Sequence, residues 1–425
     1  MPDVNEEFSL PGGQKFRNRI AKAAMTEGLA LRDGLPNAAH ETLYRRWATG
    51  GCGLLLTGNV QIDRGHLERP GNVIVDGPLS DEGKAAWARW AAAATSGGTQ
   101  AWIQISHAGR QTQKIINPHP RAPSAVPLAL PGGQFGMPHP LTGMEIQDLI
   151  SRFANAAVVS REAGFTGVQI HAAHGYLISQ FLSPLANLRR DEWGGSLENR
   201  ARFLLETVKA VRAAVGDDFI ISVKLNSADF QKGGFGFDDC LTVAGWLADL
   251  KVDCLELSGG TYEQPAMMDL DGLAPREEPK QQSTRLREAY FVHLARALMA
   301  AKTPPLMVTG GFRSLSSMED ALDSGIAFVG VGRPLCAEPD CVAELLEGHI
   351  DELPRFEERL SIGPSWTGRW LSPASPFKLV RTLNGFAAQA WYYQQIRRVA
   401  AGGAAVKLNP FKAFLAEDKE NKARV

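Results

Sequence analysis

His171, His174 and Tyr176 fall close together, just after the apolar run Gly167–Ile170. Two imidazoles donating hydrogen bonds to a carbonyl or nitro oxygen draw electron density out of a conjugated double bond. The phenolic hydroxyl of Tyr176 can pass a proton. None of the three supplies hydride, so a reduction here needs a redox cofactor. Other roles suit the same residues. The imidazoles could be satisfied structural histidines or, at three-residue spacing, metal ligands that lack a convincing third partner, and Tyr176 could simply pack with its hydroxyl bonded.

Further candidates follow other apolar runs. Gln104 and His107 end one of them, and Gly109-Arg110 beyond reads as a polar turn. Thr309-Gly310-Gly311 and Gly330-Val331-Gly332-Arg333 follow or overlap the last two. Exposed backbone N–H groups with an arginine can cradle a phosphate, although paired tight turns with a surface Arg333 give the same pattern. Lys224 ends the run Ile220–Leu225. Its charge suits the negative edge of a reduced flavin, a structural ion pair or, as a free amine, a Schiff base.

Eight short apolar runs carry these residues: Ile20–Ala24, Gly53–Leu56, Gln100–Ile105, Gly167–Ile170, Ile220–Leu225, Cys254–Leu257, Leu306–Val308 and Phe328–Val331. Helical patterns separate them, most plainly Met144–Ala163, Leu197–Val215 and Phe237–Leu250, more weakly Ala85–Ala94. This α/β rhythm predicts a (β/α)8 TIM barrel, with chemistry on the loops after the strands; an open doubly wound sheet is the alternative, weakened by the absence of an early GxGxxG.

The barrel is expected over 1–348, followed by a C-terminal helical extension over 349–425. Trp366 and Trp370 could cover apolar surface or close over a ligand, Phe377–Val399 reads as a helix with an apolar face through Leu379, Leu383, Phe386, Ala387 and Ala390, and Asp418–Val425 as a mobile end. The extension can pack on the barrel or serve self-association into a homo-oligomer. The first 18 residues read as irregular surface chain.

Composition narrows the class. The 425 residues are 44% hydrophobic, and 45 Lys+Arg against 46 Asp+Glu leave a formal charge of -1, which points away from nucleic acid and anionic membrane as main partners. Five scattered cysteines without a CxxC pair argue against a disulfide framework, an iron–sulfur cluster or structural zinc. With no signal-like leader and no long apolar stretch, a cytoplasmic location is expected.

Four stretches together resemble the Old Yellow Enzyme family of FMN-dependent ene reductases, also called NADH:flavin oxidoreductases: Ala23-Ala24-Met25-Thr26, Gln104 with His107-Ala108-Gly109-Arg110, GVQIHAAHGYLISQFLSP from Gly167 to Pro184, and NLRRDEWGGSLENR from Asn187 to Arg200. The resemblance covers roughly residues 5–345. It implies that Ala24, Met25, Thr26, Gln104, Lys224 and, by a looser match, Asn59 contact FMN, and that Gly310, Gly311, Gly332 and Arg333 hold its phosphate. It also implies that His171 and His174 orient the substrate and that Tyr176 donates a proton. The electron donor would be NADPH or NADH, and the substrate an activated alkene or other small electrophile. Lys224 stands where arginine is common, Thr26 where a subgroup has cysteine, and Trp193 where tyrosine is frequent. A Schiff-base aldolase or lyase using Lys224 and a non-catalytic flavin-binding protein are the rival readings.

Overall fold

The computed structural model describes residues 3–128, 130, 133–259, 294 and 296–424. Each of the eight apolar runs is a strand: β1 (Ile20–Lys22), β2 (Leu54–Gln61), β3 (Gln100–Ser106), β4 (Gly167–Ala172), β5 (Ile220–Asn226), β6 (Cys254–Ser258), β7 (Leu306–Thr309) and β8 (Phe328–Val331). Neighbours pair in parallel, and the sheet closes on itself because Val329 of β8 lies opposite Ile20, while Ala21 of β1 lies opposite Leu54 of β2. Closure excludes the open-sheet alternative. It also puts all eight strand C-termini on one rim.

Alternation along the strands separates two cores. Ala21, Leu54, Leu56, Trp102, Ile220, Cys254, Met307 and Phe328 fill the lower barrel. Intervening residues such as Leu55, Ile103, Val168, Ile221 and Leu255 pack outward against the helices. Those helices include α1 (Ala38–Thr49), α2 (Asp81–Ala94), α3 (Gly143–Ala163), α4 (Leu197–Val215), α5 (Phe237–Asp249) and α6 (Leu315–Asp323). Local chemistry sets their limits: Thr142 and Glu145 form a capping box at the start of α3, and Gly164 ends it with φ 99°.

The N-terminal segment departs from the expected irregular surface chain. Phe8–Ser9 and Lys15–Phe16 form a small antiparallel pair. It inserts Leu10 and Phe16 into the barrel floor, with the Phe16 ring 4.8 Å from Phe328 and 5.9 Å from Trp102. Burial of these large side chains outweighs the turn signal around Pro11-Gly12-Gly13.

The extension contains α7 (Lys378–Ala400) and α8 (Pro410–Arg424), packed on each other. Three expectations need correction. The chain from Asp418 continues α8 to Arg424, with the Arg424 guanidinium donating to the Ala30 carbonyl. Leu379 and Phe386 of the expected face point outward, whereas its Ala387 and Ala390 are buried, together with Trp391 and Ile396. Trp370 is exposed and lies against Phe377, while the Trp366 side chain is outside the described residues.

Candidate active site

The loop after β4 bends sharply. His174 adopts φ 59°, a left-handed conformation costly for a residue with a Cβ. Two bonds hold it there: its N–H donates to Asn226 Oδ1 at 3.1 Å, and its carbonyl accepts from Gln111 Nε2 at 3.1 Å. The bend stacks three rings edge to face, with His171 4.8 Å from Tyr176 and 5.1 Å from His174.

Both imidazoles are neutral near pH 7. Burial, aided by His174 and Lys224, depresses His171 well below the usual range, and burial with Lys224 lowers His174 to about 3. His171 Nδ1 accepts the Ala173 N–H at 3.2 Å, so the ring proton sits on Nε2. Ser258 Oγ lies 2.5 Å from His174 Nε2; with the hydroxyl donating, His174 keeps its proton on Nδ1.

Inside the barrel, one buried network joins the upper strands. Gln104 Nε2 donates to Gln169 Oε1 at 2.6 Å, and Gln169 Nε2 donates to Glu256 Oε2 at 2.9 Å. Glu256 Oε1 accepts from Thr309 Oγ1 at 2.7 Å and pairs with Lys224 Nζ at 3.0 Å. Gln104 and Lys224 are thus held by Gln169 and Glu256, which the sequence reading missed. The ammonium's engagement with Glu256 removes the free amine that a Schiff base needs.

Thr26 and Asn59 are brought together by another unanticipated residue. Glu68 Oε2 accepts from Thr26 Oγ1 at 2.6 Å and Asn59 Nδ2 at 2.9 Å. Met25 lies beside the loop after β8, its Sδ 3.3 Å from Cys336 Sγ. Ala24 precedes it, packed at the edge of the lower core. At the far side, Gly310 and Gly311 have φ 126° and 89°, and Gly332 precedes the short helix Arg333–Ala337. Glu357 lies 2.8 Å from Arg313 and 3.6 Å from Arg333.

His107 belongs to a different assembly. Its ring stacks on His66 at 4.5 Å, and Asp63 Oδ2 lies 2.9 Å from His66 Nδ1 and 3.7 Å from His107 Nε2. Such a trio can hold a metal, yet its nitrogens are already committed. His66 Nε2 accepts the Arg121 N–H, and His107 Nδ1 accepts the Gly109 N–H. The remaining ring protons point at Asp63. Burial opposes ionisation of that carboxyl, but the N–H groups of His107 and His66 outweigh it and hold it below the usual range.

The strand ends also leave polar atoms seeking partners. Asn59 Oδ1, the Gln61 amide and Ser106 Oγ are buried without a hydrogen bond among the described residues. Unused acceptors and donors suit a planar ring edge that offers both N–H and C=O, while the glycine turns beside Arg333 suit an anion. The rim therefore fits FMN, and the class is a barrel flavoenzyme.

Comparison with known proteins agrees. Residues 11–352 match the NADH:flavin oxidoreductase / NADH oxidase family. The NADH-dependent flavin oxidoreductase iliE of Hypocrea jecorina (strain QM6a) is 37% identical over 355 residues, covering 78% of this chain and 86% of that protein. The NADH oxidase of Thermoanaerobacter brockii is 35% identical over 347 residues, covering 80% of this chain and 50% of that protein. Among solved structures, the old yellow enzyme homologue from Zymomonas mobilis superimposes with a TM-score of 0.68 at 27% identity, over 84% of this chain and 96% of its own. A 2-naphthoyl-CoA reductase complex gives 0.72 at 26% identity, over 83% of this chain and 53% of its own. The chain belongs to the NADH:flavin oxidoreductase / NADH oxidase family. It is an FMN-dependent oxidoreductase that draws on NADH or NADPH.

Proposed function

We propose that His171, His174 and Tyr176 form the oxygen-binding and protonating side of the flavin site, with enones or nitroalkenes as substrates. The observation that carries this reading is the His171 ring. Its Nδ1 is occupied by the Ala173 N–H, and Nε2–H makes no hydrogen bond to a described residue. That donor can bind a carbonyl or nitro oxygen and stabilise the charge developing there. His174, locked by Asn226, Gln111 and Ser258, supports the second donor. Tyr176, edge-on to His171, delivers the proton to the α carbon.

Ala24, Met25, Thr26, Asn59, Gln104 and Lys224 would line the FMN ring, with Gly310, Gly311, Gly332 and Arg333 at its phosphate. When bound, FMN supplies the hydride obtained from the nicotinamide. Anaerobic stopped-flow absorbance tests the reading. NADPH or NADH should bleach the flavin, and cyclohexenone should restore its colour. Flavin that neither nicotinamide bleaches would overturn it.

The division at residue 348 and a cytoplasmic site of action belong to the same proposal. Five free cysteines support the location, and no helix among the described residues is long and apolar enough to cross a membrane. The near-neutral charge favours small molecules over nucleic acid. Self-association through the extension draws support from exposed Trp370, Phe377, Leu379 and Phe386. Sedimentation of Leu379→Glu against wild type would test it, unchanged mass counting against the idea.

A further inference from the structure

We propose that the C-terminal helical pair is a positioning element of the flavin site, acting through Arg69 and Glu68 on Thr26 and Asn59. The inference rests on the reading of Thr26 and Asn59 as flavin contacts. Its starting point is a buried guanidinium far from the C-terminus in sequence. Arg69 sits over the Tyr393 ring of α7, its guanidinium carbon 3.7 Å from the ring centroid. Its Nη2 donates to Glu417 and, at 2.9 Å, to Asn421 Oδ1, both on α8. Glu417 is fixed in turn by Arg397 at 3.1 Å and Gln394 at 2.9 Å from α7. The barrel's arginine is therefore enclosed on several sides by the extension.

Two short routes lead from Arg69 to the flavin contacts. Glu68, the preceding residue, accepts from Thr26 and Asn59 with one carboxylate oxygen. The backbone supplies the other: the Arg69 N–H donates to Asn72 Oδ1 at 3.0 Å, and Asn72 Nδ2 donates to the Asn59 carbonyl at 3.2 Å. The loops after β1 and β2 also touch directly, since a Cβ at Gly71 would meet the Gly28 carbonyl oxygen at 2.8 Å. Arg424 at the end of α8 adds a bond to Ala30 in the first of these loops. Buried charged groups satisfied on several sides have little freedom to shift, so the extension sets where the Glu68 carboxylate lies.

The neighbouring tyrosine reaches the other end of the site. Tyr392 Oη donates to Glu357 Oε2 at 3.3 Å, and Glu357 Oε1 holds Arg313 beside Arg333. Consecutive residues of α7 thus contact the Thr26/Asn59 side and the glycine–arginine side. An appendage serving only self-association would not require either contact.

The test uses full-length holoenzyme, stripped of FMN for titration. FMN affinity is read from flavin fluorescence, the bound spectrum from the visible band, and the fold from apoprotein melting and circular dichroism. Arg69→Met, Glu417→Gln and Tyr393→Leu should each weaken FMN binding, Arg69→Met by about tenfold or more, and displace the bound flavin band. Arg46→Met, which cuts a separate tie to Asp340 and Gly403, should leave FMN binding unchanged. Glu68 and Glu417 share no hydrogen bond, yet Glu68→Gln and Glu417→Gln should be non-additive in FMN affinity. Additive losses, or lowered melting with wild-type affinity and spectrum, would reduce the extension to a brace and overturn the proposal. If Arg69→Met does not fold, the milder variants decide. A wild-type protein that takes up no FMN would instead sink the flavin reading on which the inference stands.

Discussion

Lys224 and Glu256 face each other across β5 and β6, with Nζ 3.0 Å from Oε1 and the glutamate side chain fully buried. Glu256 also accepts from Gln169 and Thr309, so the pair ties together four adjacent strands beneath the rim.

Removing one member should therefore cost more than the contact itself. Glu256→Gln strands a buried ammonium, and Lys224→Met strands a carboxylate; losses of about 3–5 kcal/mol are expected for such broken pairs. The double variant should lose less than the two singles summed. Urea denaturation of the apoprotein at pH 7 measures this, and simple additivity would show that the pair is not coupled. With flavin bound, Glu256→Gln should raise the reduction potential, because an unpaired positive charge favours the reduced, anionic ring.

Tyr176→Phe separates the two halves of the reaction. The hydroxyl is assigned to protonation, so its loss should slow reoxidation by cyclohexenone by about 10²-fold or more while leaving nicotinamide bleaching near wild type. Stopped-flow traces of the separate halves give both rates. Equal slowing would move Tyr176 from proton donor to a packing role.

The barrel was legible because each strand is a short apolar run at a regular interval, and burial on both faces leaves few other conformations for it. Glu256 could also have been noticed. In Cys-Leu-Glu-Leu-Ser, alternation sends Cys254, Glu256 and Ser258 to the interior, and a charge flanked by outward leucines implies a buried partner. Glu68 carried no such sign, since it lies in a loop and its partners come from β2 and from the loop after β1. The N-terminal plug and the Arg69–Glu417 pair were illegible for a related reason. Their partners lie far along the chain, and local pattern does not encode distant burial.

Acid should weaken the fold before most carboxylates titrate. Burial lowers His40 to about 3, His107 to about 4 and His174 to about 3, and holds His171 well below its ordinary value. The unfolded chain binds these protons from about pH 6.5 downward, whereas the folded chain refuses them until much lower pH. Stability therefore falls as pH drops from about 6.5 towards 4, each histidine costing on the order of 1–2 kcal/mol by pH 5. His40→Gln should flatten the slope by about one proton. Urea midpoints between pH 4 and 8 record it, and a slope unchanged in that variant would contradict the assignment.

Arg333 offers the cleanest separation of phosphate from ring. Gly310, Gly311 and Gly332 bring backbone to the same corner, and Arg333 is partly exposed there beside Arg313. A charge-assisted hydrogen bond contributes about 1.5–3 kcal/mol, so Arg333→Met should weaken FMN binding by about 10- to 100-fold. Riboflavin has the same ring system and no phosphate, and its affinity should stay near wild type. Fluorescence titration of the apoprotein with both ligands makes the comparison within one protein. Equal losses would mean that Arg333 shapes the rim generally. A loss confined to FMN would place the phosphate at the ends of β7 and β8, and with it the direction in which the ring crosses the barrel mouth towards His171 and Tyr176.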